Sequence, residues 1–484
     1  MSLLDHLRGR SAQAPNAACL SDSQGSWTLA RLWARVEQLA EALTRLDATR
    51  VSSQLDNGGE AVALDLALRR IGAVHLPLPG FFTAAQVAHA QRDAGVDTHI
   101  TARSGAWCVE LPGGLHAQAI RREGELPALS AATALITYTS GSTGAPKGVC
   151  LSSAHLDQVS AAIVDALAGA TPRRHLALLP LSVLLEQVAG VGAALLADAE
   201  VVLPTLAETG LIGAAQLDPM RMAACIDRHR PQSLILVPQM LQAWLGALAQ
   251  GATAPDSLRF CAVGGAKVGT QLLAGAQNRG MPIFEGYGLS ECGSVVCLNR
   301  PGQVRAGSVG RALGHTQVSI DADGEIVVDG PCFLGYVGDA LHAGNRYRTG
   351  DLGAMDADGF VSINGRRRNL FITAFGRNVS PEWVETELTQ HPLIAQAVVH
   401  GEAREFNCAV IVPRRAEVSE AALSGAIAEV NRGLPDYAQV SRHLRADEAF
   451  APSNELLTSN GRVRRDAVIA RYAVAIESLY CTTD

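Results

Sequence analysis

Eleven consecutive residues, Tyr138-Thr139-Ser140-Gly141-Ser142-Thr143-Gly144-Ala145-Pro146-Lys147-Gly148, bring together five hydroxyl side chains, three glycines and a lysine. Small residues let backbone N–H groups approach an anion, hydroxyls donate to it, and lysine adds a point charge, so the segment reads as a loop that surrounds phosphate oxygens. It is not a Walker A loop, which needs Gly directly before Lys, where Pro146 stands. A Ser/Gly surface linker is the bland alternative, and the order of residues speaks against it. Further along, Gly286-Tyr287-Gly288-Leu289-Ser290-Glu291 sets an aromatic ring, a hydroxyl and a carboxylate close together. A carboxylate is the usual protein ligand for phosphate-bound Mg2+, although Glu291 taken alone reads as a solvated loop acid. Gly264-Gly265-Ala266 offers bare backbone to a ligand, or simply a tight turn. Tyr347-Arg348-Thr349-Gly350-Asp351 and Gly365-Arg366-Arg367-Arg368-Asn369 supply a further carboxylate and a cationic run.

These segments, in this order, resemble the motifs of the adenylate-forming enzymes: acyl-CoA synthetases, amino-acid-activating domains and luciferases. The resemblance covers nearly the whole chain. It implies that Thr139, Ser140, Gly141, Ser142, Thr143, Gly144 and Lys147 hold the phosphates of ATP. Gly264, Gly265 and Ala266 would lie between nucleotide and acyl group. Tyr287 would lie along the adenine with Gly288 beside it, Ser290 would contact the α-phosphate, and Glu291 would hold Mg2+. Asp351 would accept from the ribose hydroxyls, Arg366 would meet the ribose, and Arg368 would be the hinge of a small mobile domain. Phe375-Gly376-Arg377-Asn378-Val379-Ser380-Pro381-Glu382 resembles the segment that lines the pantetheine tunnel of CoA ligases. There Gly376 leaves room for the thiol, and Phe375 departs from a frequent second glycine. Leu457-Thr458-Ser459-Asn460-Gly461-Arg462-Val463-Arg464-Arg465 resembles the C-terminal T-x-x-G-K element, with Arg462 in place of its lysine.

The family reaction joins a carboxylate to the α-phosphorus of ATP, releases pyrophosphate, and then passes the acyl group to a thiol. It asks the protein mainly for positioning and positive charge. Arg462 keeps the charge of the lysine it replaces but is longer and planar. Leu179-Pro180-Leu181-Ser182-Val183-Leu184-Leu185-Glu186 resembles the L-P-L-x-H-x-x-E segment of long-chain acyl-CoA synthetases. Val183 stands where His or an aromatic residue is usual, which points to an apolar acid or to plain core packing. No aspartate for an α-amino group is identifiable. The expected activity is therefore that of an AMP-forming acyl-CoA synthetase acting on a hydrophobic, fatty-type acid, with ATP, Mg2+ and CoA. Loading of an acyl carrier protein through its phosphopantetheine, or nucleotide and acyl binding without turnover, are the rival readings.

The elements that must position these residues are legible in outline. The chain has 484 residues, 48% hydrophobic and 18% charged, which supplies a sizeable core and excludes a disordered protein. A net charge of −7 asks for no nucleic-acid partner. Ten cysteines without a C-x-x-C pair read as reduced thiols of a cytoplasmic protein. No signal peptide is visible, and the longest apolar run, Val188 to Ala197, is too short to span a bilayer. A monomer or homodimer is expected.

Leu29, Leu32, Trp33, Val36, Leu39, Ala40 and Leu43 follow helical spacing behind an N-cap at Thr28. Short apolar runs at Glu200–Leu203, Ser233–Val237, Phe260–Val263 and Pro282–Phe284 read as buried strands, so an α/β domain with a parallel sheet is predicted. The Asp-Gly turns at 321–324 and 356–359 predict a β subdomain over roughly 300–365, and strands near Ala397–His400 and Ala409–Val412 predict a small α+β domain. The expected division is 1–367, binding ATP and the acyl group, and 368–484, a mobile lid.

Overall fold

Local pairs, such as Ala18–Asp22 with Gly25–Thr28, and distant ones, such as Ala18–Asp22 with Glu200–Leu203, build two large sheets with helices packed on them. The computed structural model describes residues 2–104, 108–122, 125–139, 147–213, 216–458 and 463–481, with only the backbone of Thr139 and Asn378. The chain divides into two compact units. The first comprises Met1–Gly265, Arg279–Val318 and Val328–Tyr347; the second comprises Ala266–Asn278, Ser319–Val327 and Arg348–Asp484.

In the first unit, a nine-stranded sheet has a parallel centre running through Ala18–Asp22, Glu200–Leu203, Arg174–Leu176, Ser233–Leu236, Phe260–Val263 and Ile283–Tyr287. An eight-stranded sheet contains Arg50–Gln54, Val74–Pro77, Thr133–Thr139 and Lys147–Ser152. Strands buried on both faces read as continuous apolar runs, as Glu200–Leu203 and Ser233–Leu236 do. The helix Leu29–Arg45 forms where the spacing predicts it. The Thr28 hydroxyl accepts from Arg31 N at 3.2 Å, and Leu32, Val36, Leu39 and Leu43 are fully buried. Burial of each such side chain contributes roughly 1.5–3 kcal/mol.

The apolar run from Val188 belongs to a wide helical turn, Glu186–Gly192, continued by the helix Ala193–Leu196. Its first residue carries a fully buried carboxylate. Glu186 Oε1 lies 2.8 Å from His175 Nε2, and Oε2 accepts from Leu179 N at 3.1 Å. A Cβ at Gly190 would stand 2.0 Å from Glu186 Oε1, so this turn requires glycine to make room for the acid. Among the described residues, no helix is long and apolar enough to cross a membrane.

The Asp-Gly turns of the small β region are built alike. Asp321 Oδ1 accepts from Asp323 N and Glu325 N, each at 2.9 Å, and Asp356 Oδ1 accepts from Asp358 N at 3.0 Å and Phe360 N at 2.9 Å. Gly324 and Gly359 take the left-handed conformation that each turn needs. They join strands of a four-stranded sheet ordered Gln317–Ile320, Glu325–Asp329, Arg346–Met355, Val361–Arg366. Beyond it, the second unit folds a three-stranded sheet from Ile394–His400, Asn407–Pro413 and Val440–Arg445. The helices Pro381–Gln390 and Glu420–Asn431 bury Val384, Leu388, Leu423 and Ile427 in the core they share with that sheet.

Candidate functional site

Two paired strands flank the hydroxyl-rich segment. Thr133–Thr139 and Lys147–Ser152 run antiparallel, with Thr139 opposite Lys147, so the segment between them leaves and returns at one point. Ser140, Gly141, Ser142, Thr143 and Gly144 lie outside the described residues. On the other edge of the Lys147 strand, Gly335–Tyr336 pairs antiparallel, with Tyr336 opposite Val149. This register sets the Lys147 ammonium over the Tyr336 ring, 4.9 Å from its centroid.

The Tyr336 hydroxyl donates to Glu291 Oε1 at 2.9 Å and lies 3.5 Å from the Tyr347 hydroxyl. Phe333 packs edge-on against both tyrosines, at 4.9 and 5.5 Å between centroids, and its N–H donates to Glu291 O at 2.7 Å. Burial pushes the Tyr336 phenol up to about 12, with the Glu291 charge adding to the effect, so it stays a proton donor at neutral pH. Burial, then Glu291, also raises the Tyr347 phenol.

Glu291 itself sits in a loop folded tightly on its own backbone. The strand Ile283–Tyr287 ends at Gly288, where a Cβ would stand 1.6 Å from Ser294 O. Ser290 opens the turn Ser290–Cys292, Gly293 follows with φ +72°, and Ser294 N returns to Leu289 O at 3.1 Å. Tyr287 and Ser290 are half-buried. Gly264 backs onto the same strand: a Cβ there would stand 3.1 Å from Gly286 O. Gly265 has φ +81° and closes that stretch of the first unit, and Ala266 opens the second.

In the second unit, Asp351 and Arg366 are cross-strand partners, with Arg366 Nε 3.0 Å from Asp351 Oδ1. Asp351 is buried and Arg366 half exposed. Thr349 orients the aspartate, its hydroxyl accepting from Asp351 N at 3.0 Å and donating to Ile326 O at 2.8 Å. Arg367 turns away to Asp323 and Glu325, and Arg368 follows it in the same turn, Arg367–Asn369. Burial and the like charge of Arg366 hold Arg368 below the usual arginine range. Gly376 has φ +71° beside Phe375, which is 72% exposed, and a Cβ there would meet nothing within 4 Å.

Arg462 lies outside the described residues. Leu457 and Val463 bridge antiparallel on either side of it. Arg465 Nη2 donates to both oxygens of Glu385 at 2.5 Å, and its Nη1 donates to Val399 O at 2.8 Å. Burial pushes the Glu385 carboxyl up to about 7 against the pull of Arg465.

The structure thus brings Lys147 and Glu291 together in the first unit through a residue the motifs do not mark, and Asp351 and Arg366 together in the second. Tyr336 is the omission. Its signal is composition: Phe333, Tyr336 and Tyr347 crowd a short stretch of a chain that is only 5% aromatic.

Residues 7–337 match the family of AMP-binding enzymes, and residues 369–484 match the AMP-binding enzyme C-terminal domain. The chain belongs to the AMP-binding enzyme family. A long-chain-fatty-acid–CoA ligase of Mycobacterium bovis is 30% identical over 275 residues, 51% of this chain and 44% of that protein, so less than half of that relative's length is matched. A 2-succinylbenzoate–CoA ligase of Bacillus mycoides is 29% identical over 434 residues, covering 82% of this chain and 85% of the relative. Among solved structures, an anthranilate CoA ligase in complex with anthranoyl-AMP superposes with a TM-score of 0.78 at 18% identity, over 99% of this chain and 98% of that one. An O-succinylbenzoate–CoA synthetase of Bacillus subtilis in complex with AMP gives 0.76 at 24%, over 95% and 97%. At such identities the likeness establishes the fold of this AMP-binding enzyme as that of adenylate-forming enzymes.

The Glu291 carboxylate suits a hard divalent cation. Tyr336 orients one of its oxygens, and Mg2+ characteristically takes one or two carboxylates with substrate phosphates and water completing its shell.

Proposed function

We propose that this chain activates a hydrophobic carboxylic acid with ATP and transfers the acyl group to CoA. The observation that carries the reading is the Lys147–Tyr336–Glu291 cluster at the base of the hydroxyl-rich loop. In the first half-reaction a carboxylate oxygen bonds to the α-phosphorus, the bond to the bridging oxygen breaks, and pyrophosphate leaves. In the second, the CoA sulfur bonds to the acyl carbon, AMP leaves, and the thiol proton is released.

Lys147 supplies positive charge to the phosphates as they separate, and Ser290 donates to the α-phosphate. Glu291, held by Tyr336, is the residue to hold Mg2+, which when bound neutralises charge on the departing pyrophosphate. Asp351 accepts from the ribose hydroxyls, with Arg366 alongside. Tyr287 and Gly288 border the adenine, and Gly264, Gly265 and Ala266 border the acyl group. Residues 368–484 act as a lid turning at Arg368, which brings Arg462 to the first half-reaction and Gly376 to the second. Val183 and its apolar neighbours support a hydrophobic acid, as does the name of the Mycobacterium bovis relative; the names of the others keep aryl acids within the class.

The test is pyrophosphate release with ATP and Mg2+ against fatty, aryl and amino acids, with and without CoA, for the native chain, Arg462→Lys and Arg462→Ala. Release with fatty or aryl acids that CoA accelerates is the expected result. Silence across the panel, with activity appearing only in Arg462→Lys, would overturn it.

A further inference from the structure

Two thiols meet directly behind Glu291. Cys292 ends the Ser290–Cys292 turn and is fully buried, and Cys332 is half-buried in the facing segment. Main-chain bonding holds the two segments in register. Phe333 N donates to Glu291 O at 2.7 Å, so each cysteine is the immediate chain neighbour of a residue in that bond. That bond sets Cys292 and Cys332 beside one another across the two segments, and the Cys332 thiol reaches Gly330 O at 3.3 Å. Neither thiol has a part in adenylation or thioester formation.

We propose that Cys292 and Cys332 are a modification site, forming a reversible disulfide that disables the Glu291 end of the phosphate site. The oxidant is a small-molecule disulfide such as oxidised glutathione. The half-exposed Cys332 sulfur attacks one of its sulfurs and displaces one thiol; the Cys292 sulfur then attacks Cys332 and displaces the second. One disulfide is consumed, one is formed in the protein, and the two protein thiol protons leave on two released thiols.

The consequence follows from which side can yield. A sulfur–sulfur bond is shorter than any non-bonded approach of two thiols, so closing it draws the segments together. Cys292 is braced by Gly293 at φ +72°, where a Cβ would stand 2.7 Å from His155 Nε2, and by the tight return of Ser294. Cys332 must therefore move, taking with it Phe333 and Tyr336, the residues that hold Glu291.

The experiment treats the purified full-length chain with oxidised glutathione and digests it without reduction for mass spectrometry. Pyrophosphate release is measured on the same samples. The expected result is a peptide linking Cys292 to Cys332, a loss of activity of about tenfold or more, and recovery with dithiothreitol. Cys332→Ser and Cys332→Ala should give no linked peptide and keep their activity through oxidation. The activity arm rests on the ligase reading, whereas the linked peptide does not, so the two fail separately. Glutathione adducts without the 292–332 link, or a complete link with undiminished pyrophosphate release, would overturn the proposal.

Discussion

A phenol placed between an ammonium and a carboxylate can serve both, because its ring face attracts the cation while its hydroxyl donates to the anion. Tyr336 does so between Lys147 and Glu291, with Tyr347 behind it. Tyr336→Phe keeps the ring under Lys147 and removes only the hydrogen bond to Glu291. A hydrogen bond to a charged group is worth about 1.5–3 kcal/mol, so kcat/KM for adenylation should fall roughly 10–100-fold. Thermal stability should fall less than in Tyr336→Ala, since the ring still packs on Phe333. The Mg2+ dependence of pyrophosphate release should shift toward higher concentration; an unchanged dependence would leave the phenol with a packing role only. Asp351 poses a separate question in the other unit. Asp351→Asn keeps the shape and removes the charge that faces Arg366, so the KM for ATP should rise about tenfold with kcat less affected. Inosine or 2′-deoxyadenosine triphosphate as alternative substrates separate a ribose role from a base role: the variant should lose discrimination against the deoxy sugar.

At the scale of elements, the turn after Tyr287 depends on having no side chain at Gly288. The nearest obstacle to a Cβ there is the Ser294 carbonyl, part of a backbone that cannot rotate aside as a flexible side chain could. Gly288→Ala should cost roughly 1–3 kcal/mol of overpacking and misplace Ser290 and Glu291, lowering both the urea midpoint and activity. Gly9→Ala is the control, since its Cβ would meet nothing within 4 Å in the helix Leu3–Gln13. In the second unit, the Glu385–Arg465 pair fastens the start of the helix Arg465–Arg471, three residues past Arg462, to Val399. Arg465→Met leaves a buried carboxylate without its cation and should cost about 3–5 kcal/mol in that unit by equilibrium unfolding. Elements of this kind divide cleanly into those the sequence discloses and those it does not. The helix Leu29–Arg45 and the two Asp-Gly turns are visible because their causes are local: a repeat, a cap, a carboxylate accepting from the next backbone amides. The same holds for the order of the motifs. The pairing of Ala18–Asp22 with Glu200–Leu203 has no local cause, since any apolar strand could fill that place. Tyr336 stayed hidden for the same reason, because its role arises only when the Gly335–Tyr336 strand is laid against Val149.

For the molecule as a whole, response to acid separates groups that folding leaves in water from groups that it removes. Of thirteen histidines, His155 and His315 stand out: both are held down to about 4, His155 by burial and His315 by burial and then by the neighbouring His155. Both ring nitrogens of each are buried, and among the described residues none has a hydrogen-bond partner of the usual geometry. The folded pKa is lowered, so below the ordinary value of 6.5 the unfolded chain takes up protons that the folded chain refuses. Stability is therefore intact above about pH 6.5 and is lost progressively as the pH falls toward 4. The loss should be on the order of 2 kcal/mol for each histidine between pH 6.5 and 5. Most carboxylates titrate below that window, so the two effects separate along the pH axis. Both histidines belong to the first unit, and its unfolding transition should move down on acidification while that of Arg348–Asp484 moves less. Urea unfolding followed at Trp27 and Trp244, both buried in the first unit, reads this directly at pH 7.5, 6 and 5. His155→Leu and His315→Leu should each remove about one proton from the slope, leaving the smaller part that His99 and His229, also held down by burial, contribute. A double variant that keeps the full slope would assign the acid sensitivity to other groups, and the neutral burial of these two rings would then have no thermodynamic consequence.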